Sequence, residues 1–139
     1  MTAPKLEPGT LFGGRYRIVE PLGEGGFAVV YRAIQEDLGR EVAIKLMLPS
    51  EENATADTSE ADNIVSRFKR EAQLVSKLRD PHTVTMYDYG QTEDGELFMV
   101  LEYVAGETLH ALLRREGRIM PDRTVHILKQ VLSALEEAH

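Results

Sequence analysis

The sequence predicts an α+β fold in which an antiparallel sheet precedes a set of helices, and three observations carry the prediction. Five stretches are rich in β-branched and aromatic residues, and the turns within the first three and the last two contain glycine or aspartate. One amphipathic stretch interrupts them after the third. The final third of the chain then changes to helical spacing, so the order is three strands, helix, two strands, two helices. With 139 residues, 42% of them hydrophobic, the chain has one-domain size and enough apolar side chains for a core.

Residues 1–14 form a lead-in, with Pro4, Lys5, Glu7 and Pro8 near its start. The first strand spans Arg15 to Leu22, where Tyr16 and Ile18 alternate with Arg17 and Val19; the second spans Phe27 to Ile34. Gly23-Glu24-Gly25-Gly26 joins them as a glycine turn. A third strand, Glu41 to Met47, follows the turn formers Asp37 and Gly39. From Pro49 to Asn63 the chain carries five acidic residues and no large apolar one, which reads as a solvated loop; phosphorylation of Ser50, Thr55, Thr58 or Ser59 is the alternative use of it. Ile64, Phe68, Val75 and Leu78 then recur at helical spacing until Asp80-Pro81 ends the run. Val84 to Tyr89 and Leu97 to Tyr103 are strands around an Asp94-Gly95 turn. Thr108 to Arg115 is a short helix stopped by Gly117, and Asp122 to His139 is a longer one opened by Pro121.

Charge and composition narrow the function classes. Sixteen Lys and Arg against 23 Asp and Glu leave a formal charge of −7, so the overall field does not favour nucleic acid or an anionic membrane as partner. The absence of cysteine removes thiol catalysis and cysteine-based zinc sites and fits a reducing compartment, the cytoplasm by default. No stretch approaches the ~18 apolar residues of a membrane helix. His82, His110, His126 and His139 lack metal-ligand spacing, so no metal site is expected from them.

The chemistry gathers in three places. Gly23-Glu24-Gly25-Gly26-Phe27-Ala28 partly fits G-x-G-x-x-G/A, which a dinucleotide fold would use to open a helix. Here the following residues are β-forming, so the glycines cap a hairpin; they are either a plain turn or a flap whose backbone N–H groups approach phosphate oxygens. Val42-Ala43-Ile44-Lys45 sets Lys45 on the face of Ala43 and Met47, where the ammonium either snorkels to water or meets a ligand. Glu71, three residues after Phe68, is read as facing the core from the apolar stripe of the first helix, and a buried carboxylate requires a cation, for which Lys45 is the candidate. Its alternative is a glutamate at the helix edge.

Flap, Val-Ala-Ile-Lys strand, helix glutamate and the segment Phe98 to Gly106, in that order, resemble the protein kinase family, and more closely its bacterial serine/threonine members. The resemblance covers Tyr16 to His139. It implies a kinase-like N-lobe at 15–101 with a five-stranded antiparallel sheet and one key helix, a hinge at 102–106, and the first helices of a C-lobe at 107–139, truncated before the catalytic loop. It implies that ATP is bound with Leu22, Gly23, Glu24, Gly25, Gly26, Phe27, Ala28 and Val30 above it, Ala43 beside the adenine and Leu101 as gatekeeper. Glu102 and Val104 would offer backbone hydrogen bonds to the base and Thr108 a ribose contact. Lys45, oriented by Glu71, would hold the α- and β-phosphates, while Met86 and Val75 would join a hydrophobic column.

Two departures qualify it. Ala28 stands where the third loop glycine is usual, and the 139 residues contain no H-R-D and no D-F-G. Asp88, Asp94 and Asp122 lie in a strand, a turn and a helix start and do not replace them. The resemblance thus implies a parent that transfers the γ-phosphoryl group to Ser or Thr of a protein substrate with Mg²⁺, whose ligands lie beyond this chain, and a fragment inactive by itself. The alternatives are a pseudokinase or lobe-only nucleotide-binding or interaction module, and a chain that works only when paired. Val125, Leu128, Val131, Leu132 and Leu135 form an apolar stripe, from which a homodimer through residues 107–139 is expected.

Overall fold

The computed structural model describes residues 6–48 and 58–139, with side chains from residue 62 in the second stretch. The strands are β1 (Leu11–Phe12), β2 (Tyr16–Glu24), β3 (Ala28–Gln35), β4 (Arg40–Met47), β5 (Met86–Gln91) and β6 (Leu97–Glu102). The helices are α1 (Thr58–Val75), α2 (Leu109–Glu116) and α3 (Pro121–Ala138). The strands form one antiparallel sheet in the order β1-β2-β3-β4-β6-β5, six strands where the sequence suggests five. The extra strand, β1, is two residues long, too short for any periodicity to announce it.

The chain divides into two compact units, residues 1–77 with 86–103, and residues 78–85 with 104–139. In the first, alternation sorts the sheet into two faces. Tyr16, Ile18, Val29, Tyr31, Ala33, Val42, Ile44, Leu46 and Val100 turn to one side and make the core with Phe12. The lead-in lies over that face: Leu6 packs on the core and donates its N–H to Tyr31 Oη at 3.1 Å, and Phe12 meets Phe98 edge-on at 5.1 Å. Pro21 is tolerated within β2 because β1 pairs only with Tyr16 and Arg17, leaving the outer side of β2 unpaired at that point.

Helix α1 begins at Thr58, so the acidic loop expected to end at Asn63 already includes its first turns; the expectation for residues 49–57 lies outside the described residues. Asp and Ser at a helix start are good first-turn residues rather than breakers. The helix ends at Val75, before the Asp80-Pro81 stop. Phe68 and Ala72 are its buried residues, and Phe68 lies against Tyr89 of β5 with ring centroids 6.4 Å apart.

In the second unit, Thr108 caps α2 by accepting the Ala111 N–H at 3.1 Å, and Gly117 ends the helix at φ 76°, a conformation that suits a residue without Cβ. Residues 78–85 are tied to α3. The Glu137 carboxylate accepts the N–H groups of Arg79 and Asp80, at 2.6 and 2.5 Å, and Ser133 donates to Asp80 Oδ2 at 2.6 Å.

Candidate functional site

The glycine hairpin is held by its backbone. Gly25 N–H donates to the Ala28 carbonyl at 2.9 Å and Leu48 N–H to the Phe27 carbonyl at 2.8 Å, while the Phe27 ring is 77% exposed at the tip. None of Gly23, Gly25 and Gly26 has positive φ. A Cβ at Gly23 or Gly26 would meet nothing within 4 Å, and at Gly25 only the Ala28 carbonyl oxygen at 3.9 Å. Neither backbone conformation nor packing therefore requires three glycines here. Room for the backbone to approach something outside the chain is the remaining physical use of them.

The face of the sheet opposite the core begins at this hairpin, where Gly23 pairs with Val30. Directly opposed residues share a face, so the register strings Gly23, Val30, Lys45, Met99 and Tyr89 into one row across five strands. The next row holds Glu20, Arg32, Ala43, Leu101 and Met86. Val30, Lys45, Leu101 and Met86 are half-buried, Ala43 is buried and Leu22 is exposed. A register irregularity between Pro21 and Gly23 frees Leu22 from the strict alternation of β2. An apolar patch with one lysine at its edge, beside a glycine hairpin, can take a flat apolar ring and an attached anion.

Lys45 and Glu71 are not brought together: no ion pair joins them, and Glu71 is exposed. The expectation that Glu71 faces the core is corrected here. An α-helix turns 100° per residue, so position i+3 from Phe68 falls about 60° to one side, and the closer match at i+4 is Ala72, which is fully buried. Glu71 thus flanks the stripe. Val75, at the end of the helix, is 39% exposed.

Glu102 is half-buried at the end of β6. Val104 and Thr108 belong to the second unit, where Val104 is exposed and the Thr108 hydroxyl accepts the capping bond of α2. Among the described residues, no three His, Cys, Asp or Glu side chains converge as a metal ion requires. No helix among them is long and apolar enough to cross a membrane.

Arg32 is the residue that sequence reasoning passed over. It lies on the site face two residues after Val30, with its guanidinium carbon 5.0 Å from the centre of the Tyr103 ring. Nη1 donates to Glu20 at 3.2 Å, and Nε and Nη2 both reach Glu41. Its spacing from Val30 was the available signal, since residues i and i+2 of a strand share a face.

The family model for the protein kinase domain matches residues 16–139. The serine/threonine-protein kinase pkn3 of Myxococcus xanthus is 42% identical over 128 residues, 90% of this chain and 22% of its own length. The serine/threonine-protein kinase PrkC of Bacillus subtilis is 38% identical over 131 residues, 94% of this chain and 19% of its own. The solved kinase domain of Mycobacterium tuberculosis PknI matches with a TM-score of 0.75 at 27% identity, covering 98% of this chain and 53% of that one. The chain spans about a fifth of the length of these curated relatives and about half of the solved kinase domain. A six-stranded antiparallel sheet with one helix packed on it, a glycine hairpin whose Gly23 stands in one row with Val30 and Lys45, and this match over nearly every residue lead to one conclusion: the chain belongs to the protein kinase family.

Proposed function

We propose that these residues are the ATP-binding portion of a serine/threonine protein kinase, whose full-length form transfers the γ-phosphoryl group of ATP to Ser or Thr of protein substrates in the cytoplasm. The observation that supports it best is the hairpin with three glycines that the fold itself does not need. In this reading the hairpin from Gly23 to Ala28, with Glu24 and Phe27, covers the phosphates. Leu22, Val30, Ala43 and Leu101 enclose the adenine and the backbone of Glu102 bonds to its edge, while for Val104 and Thr108 a second base bond and a ribose contact rest on the family resemblance alone. Lys45 holds the α- and β-phosphates as a point charge. Glu71 orients Lys45 once α1 turns inward by roughly the 60° that separates it from the Phe68 direction. Mg²⁺, when bound, neutralises charge on the phosphates, and we assign its ligands and the catalytic base to parts of the parent outside these 139 residues. By this assignment the chain alone binds nucleotide without transferring phosphoryl.

Lys45→Met tests the reading. Titration of the 139-residue chain with ATP should give at least about tenfold weaker binding for the variant, with an unchanged melting temperature, because the ammonium meets phosphate rather than filling core. Equal affinity would overturn it. The lack of an ion pair between Lys45 and the exposed Glu71 also suits a pseudokinase or nucleotide-binding interaction module. A full-length parent that binds ATP yet labels no Ser or Thr would favour that alternative.

A further inference from the structure

Arg32 connects four segments of the first unit. It projects from β3, bonds Glu20 of β2 and Glu41 of β4, and lays its guanidinium near the ring of Tyr103, the residue that follows β6. The side chains of Glu20 and Glu41 keep 51% and 44% of their surface in water, so as ion pairs they contribute little. Their consequence is geometric. Two carboxylates on the donor edges fix the plane of the guanidinium and leave its face for an aromatic ring. The guanidinium carbon stands over the Tyr103 ring at 5.0 Å, within the range of cation–π attraction. Arg32 also stands in the row of Ala43 and Leu101, the residues that flank the proposed adenine position.

We infer that Arg32 is a positioning residue: through the Tyr103 ring it sets the course of the backbone at Glu102 and Tyr103, and so the affinity of this face for the purine ring but not for phosphate. The inference rests on the nucleotide reading of the site. A purely structural tie would affect both ends of a nucleotide alike, because loosening the sheet would loosen the hairpin as well.

The experiment uses the complete 139-residue chain and the variants R32M, Y103L and Y103F. Affinities for adenosine and for inorganic tripolyphosphate are measured separately, together with amide hydrogen exchange at Glu102 and Tyr103. R32M and Y103L should weaken adenosine about three- to tenfold while tripolyphosphate changes less than about twofold, and exchange at the two amides should quicken. Y103F, which keeps the ring, should restore both readouts. Parallel losses of adenosine and tripolyphosphate, no change in adenosine, or a Y103F variant as impaired as Y103L would each overturn the inference. If the unaltered chain bound neither probe, the nucleotide reading would fail by itself. Amide exchange would then decide the Arg32 role alone: faster exchange in R32M and Y103L supports the hold on Tyr103, and unchanged exchange refutes it.

Discussion

A Cβ built on Gly90 would lie 3.0 Å from the ring of Phe98, closer than side-chain carbons ordinarily approach. That ring also meets Phe12 edge-on, which limits its freedom to withdraw. Gly90→Ala should therefore destabilise the first unit by about 1–3 kcal/mol, the usual range for overpacking, as read from urea denaturation. An unchanged midpoint would mean that Phe98 moves freely. Strand propensity did not announce this role. Glycine reads as the end of a strand, yet β5 continues through Gly90 to Gln91 because the Phe98 ring, directly opposite on β6, supplies what the glycine lacks. Glu71 teaches the same lesson on a helix. Counting apolar spacings placed it on the stripe, and only the competition with Ala72 for one buried direction decided that it sits outside.

Among the elements, local chemistry was the most legible. Gly117 as a stop is decided within a few residues and the structure keeps it, while Thr108, read as the first residue of α2, caps it instead, and Pro121, read as just before α3, is its first residue. The link between residues 78–85 and α3 was illegible, because Asp80 and Ser133 are 53 positions apart. The Ser133 hydroxyl first, then the His82 backbone N–H, hold the Asp80 carboxyl below the usual carboxylate range. A lowered carboxylate stabilises the fold above its unfolded value, about pH 4, and that contribution disappears as pH falls through the lowered folded value. Ser133→Ala should raise the folded value toward the unfolded one, reducing stability at neutral pH and moving acid unfolding of the second unit to higher pH. Circular dichroism followed from neutral to acid pH checks this, and identical acid transitions would show that the hydroxyl contributes nothing.

For the molecule as a whole, the family order of strands and helix was readable because it depends on motif sequence, whereas the pairing of side chains across the sheet depends on register. Lys45 and Ala43 could be assigned to one face from β4 alone; that Arg32 joins them required the alignment of β3 on β4. The last helix shows where legibility gave a consequence rather than a contact. None of its residues is buried, and Val125, Leu128, Val131, Leu132 and Leu135 remain 46–62% exposed. Complete burial of such side chains is worth roughly 1.5–3 kcal/mol each, so the 139-residue chain by itself should pair through residues 107–139. Light scattering at micromolar concentration should give twice 15.6 kDa. A monomer whose α3 amides resist hydrogen exchange would contradict it.

The lead-in has a practical consequence for where this protein can be cut. Family similarity begins at residue 16, but Phe12 is 6% exposed and Leu6 packs against the same core, so the folding unit starts earlier than the recognisable one. A gene trimmed to Tyr16 would encode every residue assigned to ATP and still expose one side of its sheet. Removing a buried Phe alone typically costs about 3–5 kcal/mol, a large share of a domain's margin. Such a trimmed protein should express poorly and collect in inclusion bodies, while one begun at residue 6 should remain in the supernatant.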